Sequence, residues 1–94
     1  MTMVSKELQF AIREVLSDSI RRCNYFNDNF GARMNTWGPV RSVRMLFENG
    51  IRIGEREVTQ NGKRIATIQR RYSTRKVHLC YKQLQPRIIF EEAA

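Results

Sequence analysis

The stretch IRIGEREVTQNGKRIATIQRRY, residues 51–72, carries the strongest fold signal in the chain. Asn61-Gly62 lies near its centre, and this dipeptide is among the best predictors of a two-residue β-hairpin turn. The runs on either side, 51–59 and 64–72, contain β-branched residues that favour strands. The stretch therefore predicts two antiparallel strands joined by a tight turn.

Further strands are predicted after this hairpin. Ser73-Thr74 would link it to residues 76–82, which alternate between two faces in the manner of a half-buried strand. Pro86 is expected to end regular pairing, because proline has no N–H to donate. Residues 87–90 could then add a short edge strand. We expect an antiparallel sheet of three or four strands.

Residues 5–24 predict a long amphipathic helix. Ser5 is a favourable N-cap, and Glu7 lies near the positive end of the helix dipole. Apolar residues recur every three or four positions and form one stripe, Leu8, Ile12, Val15, Leu16, Ile20 and Cys23. A helix packed across the sheet makes an α+β fold, and we expect residues 1–94 to form one compact domain.

Residues 39–49 fit two structures. Pro39 suits the first turn of a helix, Asn49-Gly50 would end it, and apolar residues recur at helical spacing, Val40, Val43, Leu46 and Phe47. The same Asn-Gly could instead turn a hairpin that pairs 40–47 with 51–58. Because that pairing splits the apolar residues between two faces, a short helix is favoured, with the strand as the alternative.

Residues 24–38, NYFNDNFGARMNTWG, predict a loop that is unusually aromatic. Asparagine and glycine break regular structure, yet the segment holds four of the nine aromatic residues, Tyr25, Phe26, Phe30 and Trp37. The rings could seal a core too small to close itself. Alternatively they contact a ligand or partner, since long ordered loops in small domains are often functional.

Arginine dominates the charge of this chain, which has a formal net charge of +8. Thirteen of the 17 cations are arginine, and residues 41–76 hold ten cations against three acids. A guanidinium group grips phosphate or carboxylate at two points and stacks on flat rings. The pattern therefore indicates a polyanionic or acidic partner.

Several other classes are disfavoured. Glu55 and Glu57 are more simply explained as neutralising nearby arginines than as an acid–base pair, and no Gly-rich phosphate loop is present, so we expect no enzyme. One histidine and two cysteines fall short of the four ligands of a closed zinc site, so we expect no metal and no cofactor. No apolar run reaches the length of a membrane span, and the nearly balanced charges of the helix do not suit an interfacial anchor, so we expect no membrane association.

The cysteines and the amino terminus bear on location. Cys23 and Cys80 lack the spacing of a paired motif, so we expect reduced thiols. The first residues show no basic segment followed by an apolar one, and we expect no secretory signal. Together these features predict a cytoplasmic protein.

The leading hypothesis is a non-enzymatic protein whose arginine-rich sheet binds RNA or DNA, alone or within a ribonucleoprotein. Cations would contact phosphates while aromatic rings stack on bases. We see no aromatic pair on adjacent strands, no GXXG loop and no helix-turn-helix. The candidate site residues are Lys63, Arg64, Arg70, Arg71, Tyr72, Arg75, Lys76, Arg41, Arg44 and Trp37.

The alternative is a small inhibitor or adaptor that docks on an acidic protein or nucleoprotein. The same arginines and the 24–38 loop would supply the contacts, because interface hot spots favour Arg, Trp and Tyr. Phage inhibitors of host nucleoprotein defence complexes, such as anti-CRISPR proteins, illustrate this class. Those proteins share no common motif, so no residue here carries a resemblance to them.

Overall fold

The structure is a computed structural model that describes residues 4–28, 38–77 and 80–92, with side chains for all of these except residues 26–28, 76, 77 and 80. A long N-terminal helix, a short second helix and a curled four-stranded antiparallel sheet follow one another along the chain. The predicted α+β fold is therefore confirmed.

The first helix, α1, spans Lys6–Asp28. Ser5 caps it as predicted, because its Oγ accepts the Leu8 N–H at 3.2 Å. The predicted end at residue 24 is too early. Asn24 does not break the helix, since its side-chain amide bonds to the sheet instead of competing for the helix backbone.

The extended helix takes in part of the predicted aromatic loop. Tyr25 belongs to the last turns of α1 and is half-buried. Phe30 and Trp37 lie outside the described residues. Whether the 24–38 rings seal the core or contact a partner therefore stays a prediction.

The second helix, α2, spans Val40–Glu48, which resolves the two alternatives in favour of the helix. Its inward face carries Leu46 and Ser42, and the Ser42 hydroxyl donates a 2.8 Å hydrogen bond to Glu14 Oε2 on α1. This bond satisfies a buried polar group and fixes α2 against α1. The other apolar residues of the predicted stripe are exposed, contrary to a core role: Val40, Val43 and Phe47.

Gly50 ends α2 and turns the chain into the sheet. Its φ of +68° lies in the left-handed region, which glycine adopts without a steric penalty. A Cβ at this position would come within 2.1 Å of Asn61 Oδ1. The helix stop and the hairpin turn are therefore packed against each other.

The sheet has the order β1-β2-β3-β4, with strands at Ile51–Ile53, Glu57–Gln60, Lys63–Val77 and Cys80–Phe90. Asn61 and Gly62 have φ values of 51° and 88°, both positive as a type I′ hairpin turn requires, so the predicted turn is confirmed. The run 51–59, expected as one strand, divides into two. The Gly54 N–H donates to the Glu57 carbonyl at 2.8 Å and closes the extra turn between them.

The third and fourth strands are longer than the sequence predicts. β3 continues through Ser73-Thr74, and β4 continues through Pro86. Residues 76–82 do not form one strand, because they contain the end of β3 and the start of β4. Each local signal instead marks an irregularity in the pairing, one between Tyr72 and Lys76 and one beside Pro86. Proline is tolerated there because β4 is an edge strand.

The core lies between α1 and one face of the sheet. Ile12, Leu16 and Ile20 of α1 are at most 3% exposed. They belong to one buried cluster with sheet residues that include Val58, Ile65, Ala66, Ile68 and Phe90. A helix stripe against one sheet face is the two-layer arrangement that buries both apolar surfaces. The opposite face of the sheet carries the candidate site.

Candidate nucleic-acid interface

Strand register separates the sheet into two faces. Ile68 faces the core, and its neighbours Gln69 and Arg71 point the other way because successive side chains alternate. Gln69 pairs with Arg87, and Arg71 pairs with Leu84. Residues directly opposite each other share a face. We call the face that points away from α1 the outer face.

Five exposed cations lie on the outer face. Arg52 and Arg64 both pair with Thr59, so these two arginines share a face that alternates with the core residue Val58. Lys82 lies there too, because it is two positions from Leu84 on β4 and Leu84 is opposite Arg71. Arg71 and Arg87 complete the set. Among the described residues, the exposed cations of the outer face are therefore Arg52, Arg64, Arg71, Lys82 and Arg87.

Few acids oppose these cations. Glu57 pairs with Thr67 on the same face, and Glu91 accepts a hydrogen bond from Arg64 Nε at 3.1 Å. Both partners of that ion pair are more than one-third exposed, so it adds little stability. Of the five cations, Arg64 alone has an acidic partner among the described residues. Most of the positive charge on this face is therefore available to a ligand.

Two apolar side chains lie between the cations. Leu84 and Ile89 are 38% and 42% exposed on the outer face. Antiparallel sheets with one solvent-facing side usually place polar residues there. A face that mixes arginine with exposed apolar groups offers charge to a polyanion and contact area to flat or apolar groups.

The charge of the chain is concentrated in the sheet. Residues 51–92 contain ten cations and four acids, whereas residues 6–28 of α1 contain four of each. In α1, Asp18 bonds to Arg21 at 2.7 Å and to Arg22 at 2.8 Å. Burial raises the pKa of Asp18, but hydrogen bonds and charge from the two arginines lower it by more, so the carboxylate stays ionised. The charges of α1 are thus largely compensated within the helix.

Arg70 does not lie with Arg71. It points to the core side, where its side chain is only 18% exposed. Its guanidinium donates to the carbonyls of Glu55 and Gly54 and lies 3.3 Å from the Glu55 carboxylate. Arg70 therefore holds the turn between β1 and β2, and strand alternation separates it from Arg64 and Arg71 on the outer face.

The remaining predicted site residues are dispersed. Lys63 is exposed at the Asn61-Gly62 turn, and Arg75 is exposed in the irregular part of β3, where its N–H donates to Ser73 Oγ at 3.0 Å. Lys76 lies opposite Tyr81 in the register. Arg41 and Arg44 are exposed on α2, and Trp37 lies outside the described residues.

Tyr72 lies on the α1 side of the sheet and has a companion that the sequence did not reveal. Tyr72 pairs with Gln83, and Tyr81 lies two residues before Gln83 on β4. The two tyrosines are 52% and 53% exposed. The register pairs Tyr72 with Gln83 and Tyr81 with Lys76, so the two tyrosines are not directly opposed but lie diagonally across the two strands. The sequence conceals this arrangement because the alternation of residues 76–82 predicts a single strand, which hides the return of the chain beside Tyr72.

The last turns of α1 are anchored to the edge of β4. Asn24 Nδ2 donates to the Gln83 carbonyl at 2.8 Å, and the Gln83 N–H donates to Asn24 Oδ1 at 2.9 Å. Gln83 Nε2 also donates to Cys23 Sγ at 3.3 Å. The amide pair occupies backbone groups that an edge strand would otherwise leave unpaired. It also fixes the end of α1 against β4 at Gln83, the residue opposite Tyr72.

Other kinds of site find no support in the described part of the chain. No group of three or more His, Cys, Asp or Glu residues there is arranged to hold a metal ion. No described helix is long and apolar enough to cross a membrane. Comparison with known proteins finds no matching protein family, no similar curated protein and no similar solved structure.

Proposed function

We propose that this chain is a non-enzymatic binding protein that engages nucleic acid through the outer face of its sheet. The observation that supports this most is the set of five exposed cations on one face, of which Arg64 alone has an acidic partner among the described residues. Phosphates attract such a face, and their condensed counterions are released when cations replace them. Four of the five are arginine, which binds phosphate in a bidentate manner.

Counterion release makes the proposal quantitative. If all five cations neutralise one phosphate each, the logarithm of the binding constant falls with the logarithm of salt at a slope of about −3.5 for a single strand or about −4.5 for duplex DNA. A face that uses fewer contacts has a proportionally smaller slope. The measured slope therefore counts the phosphate contacts.

The test compares two double charge reversals. Arg71→Glu/Arg87→Glu changes the outer face, and Arg41→Glu/Arg44→Glu makes the same change in net charge on α2. Oligonucleotide binding is measured by fluorescence anisotropy over a range of salt concentrations. We expect the outer-face variant to lose at least about tenfold in affinity, and the salt slope to become shallower by about 1.4 for a single strand or about 1.8 for duplex DNA, because two contacts are lost.

The α2 variant is the matched control, because all four arginines are exposed. We expect it to retain most of the affinity. Equal losses in the two variants would mean that binding follows overall charge and not the outer face. If the unmodified protein does not bind oligonucleotides even at low salt, the proposed function is wrong.

A second candidate function, docking on an acidic protein, is favoured by one observation on α2. Val40, Val43 and Phe47 form an exposed apolar stripe, and Phe47 is 85% exposed. Arg41 and Arg44 lie beside the stripe and would complement acidic side chains at the rim of a partner's apolar surface. Large exposed aromatic residues of this kind anchor many protein interfaces.

This candidate is distinguished by capture from a lysate with and without nuclease, using the unmodified protein and Phe47→Ser. A partner that remains after nuclease treatment, is acidic when identified, and is lost with Phe47→Ser would support docking through α2. Partners that disappear with nuclease and are indifferent to Phe47→Ser would leave nucleic-acid binding as the function.

A further inference from the structure

We propose that the ligand is a nucleic-acid strand with unpaired bases, and that Tyr72 and Tyr81 provide the surface on which those bases stack. This inference rests on the nucleic-acid binding proposed above and specifies the class of nucleic acid. It follows from the geometry and charge of one part of the sheet, the two-stranded end of the β3–β4 hairpin.

This end of the sheet is a two-stranded ribbon. The pairing of β2 with β3 extends to Thr67, and the last backbone bond from that side runs from the Ile68 N–H to the Arg56 carbonyl at 2.8 Å. Beyond Arg70, β3 pairs with β4 alone. We call residues 71–77 and 80–84 the distal hairpin.

The two tyrosines share one face of the distal hairpin. Tyr72 lies directly opposite Gln83, and Tyr81 lies two positions from Gln83 on the same strand. The extra residues of the irregularity belong to β3, so the alternation of β4 between Tyr81 and Gln83 is intact. Diagonal neighbours of this kind have Cα atoms about 7–8 Å apart, within reach of aromatic side chains.

Both rings remain open to a ligand although they lie on the core side of the sheet. Residues earlier on that face, Ala66 and Ile68, are at most 3% exposed, whereas Tyr72 and Tyr81 are about half-exposed. Asn24 explains the difference, since it ties the end of α1 to the edge of β4 at Gln83. These bonds hold the end of α1 at the strand edge, where about half of each tyrosine remains exposed.

The charge of the distal hairpin suits a phosphate backbone. The sequence from residue 71 to residue 84 contains four cations and no acid. Arg71 and Lys82 lie on the outer face, and Arg75 is exposed in the irregular segment of β3 beyond Tyr72. Arg71 and Lys82 lie on the face opposite the tyrosines, so a flexible strand that stacks on the rings reaches these cations around the edge of the ribbon, whose own sequence contains no acid.

Stacking selects unpaired bases. In a duplex each base is already stacked on its neighbours and presents only its edge in a groove, so a flat ring cannot reach its face without unstacking it. In a single strand the base faces are accessible, and stacking on one aromatic side chain strengthens binding by about fivefold to 150-fold per base. Two adjacent rings are therefore expected to give a clear preference for single strands.

The test uses two probes, a single-stranded oligothymidine of about 16 nucleotides, the upper site size of one small binding domain, and a duplex with the same number of phosphates. The unmodified protein is compared with Tyr72→Leu/Tyr81→Leu and with Tyr72→Phe/Tyr81→Phe. We expect the unmodified protein to prefer the single strand. The leucine variant should lose about tenfold or more for the single strand with an unchanged salt slope, because no charge is removed.

The phenylalanine variant keeps both rings and should bind the single strand like the unmodified protein, which separates stacking from loss of packing. The preference of the unmodified protein for one probe does not depend on any variant, so it tests the proposal even if the leucine variant does not fold. Equal or tighter duplex binding, or a folded leucine variant with full single-strand affinity, overturns the inference and leaves the outer-face proposal standing. Absence of binding to both probes at low salt overturns the two together.

Discussion

Replacement of Asn24 by alanine tests how α1 is fixed to the sheet. Two hydrogen bonds join the Asn24 side chain to the backbone of Gln83, and both are partly buried. Such a bond contributes about 0.5–1.5 kcal/mol, and an orphaned buried group costs about 1–3 kcal/mol. The substitution also relieves α1 of an asparagine, which favours the helix by at most about 0.7 kcal/mol. The net expectation is a destabilisation of about 1–2.5 kcal/mol.

The sign of the stability change in Asn24→Ala shows whether helix propensity or the tertiary bonds to Gln83 dominate at this position. Helix propensity alone predicts that Asn24→Ala stabilises the protein, whereas the bonds to Gln83 predict the opposite. Thermal unfolding followed by circular dichroism measures the difference, and a loss of about 2 kcal/mol lowers the midpoint by roughly 8–16 °C in a domain of this size. Hydrogen exchange of the Gln83 amide should quicken as well, because that N–H loses its acceptor.

Asn49→Ala is the matched control. Asn49 makes a comparable side-chain bond, Nδ2 to the Met45 carbonyl at 2.8 Å, but this bond is exposed and local to α2. We expect that variant to change stability by less than about 1 kcal/mol. If Asn24→Ala is no less stable than Asn49→Ala, the side-chain amide of Asn24 does not hold α1 to β4.

Three further predictions concern other contacts. Gly50→Ala should destabilise the protein by at least about 1 kcal/mol in urea unfolding, because its φ is +68° and the added Cβ would meet Asn61; the outcome that contradicts this is unchanged stability. Arg70→Ala should lower the thermal midpoint but leave the salt slope of oligonucleotide binding unchanged, because Arg70 bonds to the β1–β2 turn. A shallower salt slope in this variant would show instead that Arg70 contacts a phosphate. The pKa of Asp18 in the folded state lies below its ordinary value of 3.8, so the ionised carboxylate stabilises the protein fully above pH 3.8. This stabilisation is lost as the pH falls through the lower folded pKa. An acid titration of the unfolding free energy of Asp18→Asn should lack that loss.

The accuracy of the sequence predictions follows the range of the interactions. The Ser5 cap and the Asn61-Gly62 turn depend on contacts within a few residues, and both are confirmed. Ser73-Thr74 and Pro86 are also genuine local signals, but they mark irregularities and not strand ends. A long hairpin absorbs them because the pairing on either side outweighs one local defect. Local signals therefore locate the irregularities in strand pairing, but they do not show that both strands continue through them.

The candidate site is less accessible to sequence reasoning. Charge counts identified the sheet as the basic region, since composition is independent of fold. Arg70 and Arg71 are adjacent in sequence, yet one holds a turn and the other faces solvent. Arg87 and Lys82 are absent from the predicted site because the sequence pattern divides their strand, Cys80–Phe90, at Pro86.

The amino-acid sequence alone establishes the α+β class, the long helix, the tight turn and the excess of arginine. These properties depend on periodicity, local turn chemistry and composition, all of which can be counted along the chain. The division of the arginines between two faces and the approach of Tyr81 to Tyr72 arise from strand register. A shift of one residue reverses which face a side chain occupies. The Asn61-Gly62 turn fixes the register beside it, but the irregularities farther along β3 and β4 depend on the packing of residues distant in sequence.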